Sequence, residues 1–180
     1  DVRDMTQKEL RDKLGYVPQK GVLFSGTIDS NIRYGKPEIT DAQVKEAAEV
    51  AQATEFIDTK PEKYESPVSQ GGTNVSGGQK QRLSIARAIA KDPEIFIFDD
   101  SFSALDFKTD SQLRKALKEY TKDATTVIVA QRISTILGAD QIIVLDDGHM
   151  AGIGTHKELM ANCEVYQQIA RSQLSEEELA

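Results

Sequence analysis

Cysteine and histidine are nearly absent from this sequence. The one cysteine, Cys163, has no partner for an internal disulfide. With only His149 and His156 beside it, there is no ligand set for a structural zinc site. This usage fits a reducing, cytoplasmic compartment. Nowhere do the roughly 20 apolar residues of a membrane-spanning helix run together, and the opening residues do not read as a secretory leader. The first residue is Asp1 rather than Met, so the natural N-terminus is expected upstream. Basic residues are in the minority, 22 Lys and Arg against 29 Asp and Glu, for a net charge of −7. That deficit argues against a general nucleic-acid binder, which needs clustered cations along a phosphate backbone. It argues equally against a basic patch for anionic membranes. No internal repeat and no low-complexity segment is present.

What is present is an ordinary globular composition, 39% hydrophobic and 28% charged over 180 residues, enough for one domain or a domain with a subdomain. The apolar pattern alternates between helical and extended periods, which predicts α/β architecture. Thr6 and Glu9 form a capping box ahead of a short helix ending near Gly15, and Tyr16-Val17-Pro18-Gln19 then reads as a strand running into a loop. Residues 27–57 read as helical, with Thr40 and Gln43 as a second capping box and Val44, Ala47, Ala48 and Ala51 on one face. Residues 58–75, rich in Pro, Ser, Gly and Thr, read as a loop. A helix is expected from Gly77 to Ala90, stopping before Asp92-Pro93. Ile95-Phe96-Ile97-Phe98 has the continuous apolar character of a strand buried on both faces. Leu113, Leu117 and Tyr120 mark a helix, and Thr125–Ala130 and Gln141–Leu145 are β-rich. Asp147-Gly148 signals a hairpin leading into a strand from His149 to Ile153, with His149 on the surface. Thr155 through Glu158 caps a further helix, and the acidic tail from Ser175 to Ala180 is expected to fray.

The segment Val75-Ser76-Gly77-Gly78-Gln79 carries the most information. A capping box explains Ser76 and Gln79. It does not explain two glycines at the start of a helix, each of which costs about 1 kcal/mol against Ala in a helix interior. Glycines there make sense if another group must approach the backbone. A helix N-terminus offers free N–H groups and partial positive charge, both suited to phosphate. Asp99, at the end of the apolar strand, needs a partner. Capping of the next turn is the simple way to supply one.

Order decides between these readings. Ser76-Gly77-Gly78-Gln79 with Lys80-Gln81-Arg82-Leu83-Ser84-Ile85-Ala86-Arg87-Ala88 resembles the signature of ABC-type ATPases. Ile95-Phe96-Ile97-Phe98-Asp99 then resembles a Walker B strand, and Tyr16-Val17-Pro18-Gln19 the Q-loop, whose glutamine contacts Mg²⁺. Ser103-Ala104-Leu105-Asp106 resembles the D-loop of the dimer interface, and Val129 to Thr135, with Gln131, the switch segment. Gly154 to Leu159 resembles the start of the family's closing helix, though a plain capped helix accounts for it. Phe24-Ser25-Gly26-Thr27-Ile28 with Asn31-Ile32, and Ser69-Gln70-Gly71-Gly72, resemble exporter segments, the latter the X-loop that touches coupling helices.

The resemblance, which covers nearly the whole chain, implies an incomplete RecA-like core of mostly parallel sheet with an inserted α-helical subdomain. Residues 1–19 would be core ending in the Q-loop, 20–90 the helical subdomain with the signature, and 91–180 core again. ATP and Mg²⁺ are the implied cofactors, with Gln19 and Asp99 on the metal side. Ser76, Gly77, Gly78, Gln79, Gln19 and Asp106 would face nucleotide, and Asp100 and Gln131 would hold the catalytic positions. The implied setting is the cytoplasmic face of a bacterial plasma membrane, attached to transmembrane domains on the same longer chain.

Three departures qualify this. Gly21 to Thr27 has the glycine spacing of a phosphate loop, but Thr27 stands where the phosphate-binding lysine belongs, and the segment follows the Q-loop instead of preceding it. The lysine-bearing loop and the adenine-stacking aromatic are therefore expected upstream of Asp1, and the 180 residues alone are expected to bind ATP weakly or not at all. Asp100 replaces the family's usual glutamate general base, about 1.5 Å shorter in reach, and a misplacement near 1 Å can cost about 10²-fold in rate. Gln131 replaces the switch histidine; it can hydrogen-bond phosphate but carries no proton charge. Together these imply the degenerate-site subunit of a heterodimeric exporter, with a tolerated variant in a homodimer as the alternative. Two rivals stand beside this: a soluble ABC-type ATPase acting on DNA or ribosomes, disfavoured by the lack of heptads or a basic arm, and a non-hydrolysing interaction fragment. An incomplete core would also leave sheet edges exposed.

Overall fold

The computed structural model describes residues 1–175. The chain divides into two compact units, Asp1–Val129 and Ala130 onward.

In the first unit, α1 (Gln7–Lys13) starts at the expected Thr6–Glu9 capping box and leads straight into β1 (Leu14–Val17). Two residues of β2 (Gly26–Thr27) precede α2 (Ile28–Ile32), followed by α3 (Asp41–Val50) and α4 (Thr54–Asp58). The continuous helix expected over 27–57 is thus three helices. Gly35, at φ 92, and Pro37 break the first junction, and Gln52, at φ 56, breaks the second. The presumed loop of 58–75 holds two 3₁₀ turns and β3 (Pro67–Val68), which pairs antiparallel with β2. The expected helix is α5 (Gly77–Ala90), and β4 (Ile95–Asp99), α6 (Phe107–Tyr120) and β5 (Thr125–Val129) complete the unit.

The sheet has the order β1-β4-β5 and is parallel throughout. Phe96 and Phe98 are buried, and Ile95 and Ile97 are half-buried, so one face of β4 is sealed more completely than the other. Close approach needs Gly15: a Cβ there would fall 2.6 Å from Pro93 Cγ. On β5, Val127 and Val129 are exposed, and among the described residues its only partner is β4.

Helix α5 is the hub of this unit. Leu83, Ile85, Ala86 and Ile89 are all fully buried. Gln81, also buried, donates from Nε2 to the Pro18 carbonyl at 3.0 Å, and Arg82 donates to the Gln52 carbonyl at 2.7 Å. Arg87 donates to the carbonyls of Asn31 (2.8 Å) and Val22 (2.9 Å) and to Asn31 Oδ1 (3.0 Å). Its guanidinium also lies over the stacked rings of Phe24 and Tyr34, 5.2 and 5.5 Å from their centres. Burial pulls the Arg87 guanidinium down to about 10.

In the second unit, α7 (Ile133–Ile136) precedes the hairpin β6 (Ile142–Asp146) and β7 (His149–Gly154). Its turn is Asp147-Gly148, with φ of 45 and 77 as a two-residue primed turn requires. His149 is on the surface, as expected. The capped helix α8 (His156–Asn162) and α9 (Glu164–Gln173), which the sequence reading passed over, cover the hairpin's Ile142 and Val144 face with Leu159, Tyr166 and Ala170. Of the acidic tail only Ser175 is described; residues 176–180 lie outside the described residues.

Replacing Arg87 by Met removes three hydrogen bonds and leaves their acceptors to be satisfied some other way. Urea denaturation should show a loss of about 2–4 kcal/mol for Arg87→Met. Lys8→Ala, which breaks only an exposed ion pair to Asp12, should leave the urea midpoint unchanged.

Candidate nucleotide site

Two groups of predicted residues come together in the first unit. The earlier group gathers at the C-terminal ends of β1 and β4. Parallel pairing sets Tyr16 opposite Ile97 and Val17 opposite Phe98, so the loop after β1 passes beside Asp99 and Asp100. The phenol of Tyr16 donates to Asp99 Oδ2 at 3.0 Å, and Gln19 Nε2 donates to Asp100 Oδ2 at 3.3 Å. That carboxylate hydrogen bond raises the Tyr16 hydroxyl above its usual range. Both aspartates are half-buried and Gln19 is exposed. Asp100 sits in the left-handed region at φ 45, its N–H donating to the Val129 carbonyl at 2.9 Å. Ser101 locks the turn from below, donating from Oγ to the Val17 carbonyl at 2.9 Å.

The other group surrounds the start of α5. Ser76 and Gln79 form the expected capping box, with Gln79 N–H donating to Ser76 Oγ at 3.2 Å and Ser76 N–H to Gln79 Oε1 at 3.1 Å. Ser76 and Gly77 are exposed. A Cβ on Gly77 would meet nothing within 4 Å; one on Gly78 would find only the Ala104 carbonyl at 3.5 Å and Leu105 Cδ2 at 3.8 Å. The helix start therefore opens outward beside the turn that leads to Asp106. Asp106 caps α6, accepting from Thr109 N–H at 2.9 Å and Thr109 Oγ1 at 2.7 Å, and these bonds hold its carboxyl below the usual range. Gln131 belongs to the second unit, where its carbonyl accepts from Gln173 Nε2 at 2.9 Å.

The decoy loop has its own explanation. A Cβ on Gly21 would fall 2.8 Å from the Lys80 backbone, and Gly26 lies at φ 147. Both glycines serve the packing of this loop and need no phosphate. Neither Gly77 nor Gly78 has such a reason, since neither has positive φ. Sequence reasoning gave no role of their own to Tyr16 and Gln81. Period-two alternation was the available signal for Tyr16, because it shares a face with Asp99 once the strands pair.

A magnesium ion takes near-octahedral oxygen ligands, keeping several waters and one or two carboxylates. Asp99, Asp100 and the Gln19 amide oxygen are a hard-oxygen set that fits an ion held mainly by water and phosphate. Among the described residues no group of three His, Cys, Asp or Glu could hold a metal unaided, and no helix is long and apolar enough to cross a membrane.

Known proteins are similar in sequence and fold. A family model described as ABC transporter matches residues 1–103. An uncharacterized ABC transporter ATP-binding protein of Mycobacterium bovis is 46% identical over 176 residues, 96% of this chain and 30% of that protein. A putative multidrug export ATP-binding/permease protein of Staphylococcus aureus is 44% identical over 169 residues, 94% of this chain and 29% of that protein. The fold matches a bacterial Atm1-family ABC exporter solved with ATP bound, with TM-score 0.93 and 39% identity over 98% of this chain and 31% of that one. The chain therefore belongs to the ABC transporter family, with the fold of an exporter's ATP-binding domain. It spans about 30% of the length of the curated relatives it matches.

If the two glycines are spent on something outside the chain, alanine should suit the isolated fold better. Gly77→Ala should stabilise the chain by about 0.5 kcal/mol and raise its melting temperature slightly by calorimetry. A drop in melting temperature would reveal a structural need that the geometry does not contain.

Proposed function

We propose that this chain is the ATP-hydrolysing domain of an ABC exporter and comes from the degenerate-site subunit of a heterodimer. The observation that carries this is the outward-facing start of α5, glycine at two positions where nothing among the described residues requires it. Ser76, Gly77, Gly78 and Gln79 would receive the terminal phosphate of an ATP held by a second ABC ATPase subunit, by backbone N–H groups and helix dipole. Asp106, beside them, would line the subunit interface. Gln19 and Asp99 would hold the magnesium side of this chain's own nucleotide. Bound Mg²⁺ would neutralise charge on the β- and γ-phosphates.

Asp100 would orient the attacking water and take its proton on a carboxylate set back by one methylene, and Gln131 would donate a hydrogen bond to phosphate without carrying charge. Both changes slow hydrolysis at this subunit's own site, while the intact signature serves its partner. Residues 1–19, 20–90 and 91–180 would act as core, helical subdomain and core. Closure of the nucleotide-bound dimer would reach transmembrane domains of the same longer polypeptide through the loops at Gln19 and Gln70, at the cytoplasmic face of a bacterial plasma membrane. The staphylococcal relative's name, ATP-binding/permease, supports that arrangement.

The test is ATP turnover by the complete exporter polypeptide, purified without a partner. Turnover should be slow, and the pair Asp100→Glu with Gln131→His should raise it at least about tenfold, the order that restored reach predicts. Brisk turnover by the unaltered polypeptide alone would defeat the degenerate-subunit reading.

A further inference from the structure

The phenol of Tyr16 has no part in the scheme above. Tyr16 is 54% exposed, so packing does not account for an aromatic residue there. Any β-branched residue would suit this strand position as well. What tyrosine adds is the hydroxyl, and the structure gives it one acceptor, Asp99 Oδ2, at 3.0 Å. The contact follows from strand register: Tyr16 is opposite Ile97, and Asp99, two residues on, emerges on the same face. Among the described residues Asp99 Oδ1 accepts no hydrogen bond. A carboxylate rotates broadly about its last torsion. Fixing one oxygen from the neighbouring strand fixes where the other is offered. Gln19 treats the adjacent carboxylate differently, through a longer 3.3 Å contact from an exposed side chain.

Resting on the reading of Asp99 as the metal-side carboxylate, we propose that Tyr16 is a positioning residue, whose hydroxyl holds Asp99 with Oδ1 free for the magnesium of a bound nucleotide. Outer partners of this kind commonly contribute 10- to 100-fold in metal affinity. Tyr16→Phe removes the hydroxyl and keeps the ring.

The experiment uses the complete exporter polypeptide with a non-hydrolysable ATP analogue and Mn²⁺ in place of Mg²⁺. Nucleotide affinity is measured in EDTA, and Mn²⁺ affinity by electron paramagnetic resonance. Tyr16→Phe should leave the metal-free nucleotide affinity unchanged and weaken Mn²⁺ binding about tenfold. Placed in an Asp99→Asn background, it should cost nothing more, because the group it acts through is gone. Unchanged or tighter Mn²⁺ binding in Tyr16→Phe overturns the proposal, and tighter binding would mean the hydroxyl competes with the metal. A further loss in the Asp99→Asn background, or equal losses with and without metal, also overturns it, by showing that Tyr16 acts elsewhere or only shapes the fold. Wild-type protein that takes no Mn²⁺–nucleotide would remove the underlying reading of Asp99 and this proposal together.

Discussion

The parallel pairing of β1 with β4 is the constraint on which the candidate site depends. Four residue pairs in register, ending at Val17 and Phe98, bring positions 81 to 84 residues apart in sequence into hydrogen-bond range. Both strands end at the same level, so their following loops emerge together, as ligand-binding loops do at the carboxyl ends of open α/β sheets. Ser101 closes the arrangement with a buried hydrogen bond back to Val17. A slip of one residue would turn Tyr16 away from Asp99 and bury the wrong face of β4. Gly15 and Pro93 guard against that slip, because only a residue without Cβ fits where the two segments meet.

Helix α5 links this sheet to the outward-facing end. Its apolar stripe is buried, its Gln81 holds the loop carrying Gln19, and its Arg87 holds the segment carrying Phe24 and Tyr34. The helix is thus anchored along most of its length and left bare only at its first turn. Anchoring and exposure are complementary: a first turn that meets an outside ligand must be held from behind, or binding would cost the order of the whole helix. Arg87 serves this with neutral carbonyls and aromatic faces rather than a carboxylate.

Much of this was legible in residues. Capping boxes at Thr6, Thr40, Ser76 and Thr155 are local, reciprocal hydrogen bonds, and all four form as the sequence implies. The hairpin at Asp147-Gly148 is equally local. Less legible was the region 27–57, where helical periodicity ran across Gly35-Lys36-Pro37 and concealed two breaks. The pairing of β2 with β3 was hidden too, since two-residue strands have no period to detect. The glycines show the limit most clearly. Gly21 and Gly77 look alike in sequence, but one is pressed against the Lys80 backbone and the other faces open space. Only tertiary contact separates a glycine required by its own chain from one that its chain does not need.

Asp100 joins these threads. Its φ of 45 puts a non-glycine residue in the left-handed region, which aspartate and asparagine tolerate better than other side chains. A glutamate there would reach about 1.5 Å further while losing the local hydrogen-bonding advantage of the shorter acid. Backbone and chemistry therefore pull in opposite directions at this residue: the conformation favours the short carboxylate, and a general base favours the long one. A site selected for turnover accepts the strain, since strained backbone is commonly retained where function needs it. A site relieved of turnover can settle on the residue the backbone prefers. On the degenerate-site reading proposed above, aspartate at position 100 follows from that second balance, and the Gln19 amide, 3.3 Å from its carboxylate, gives the shortened acid a partner within the chain.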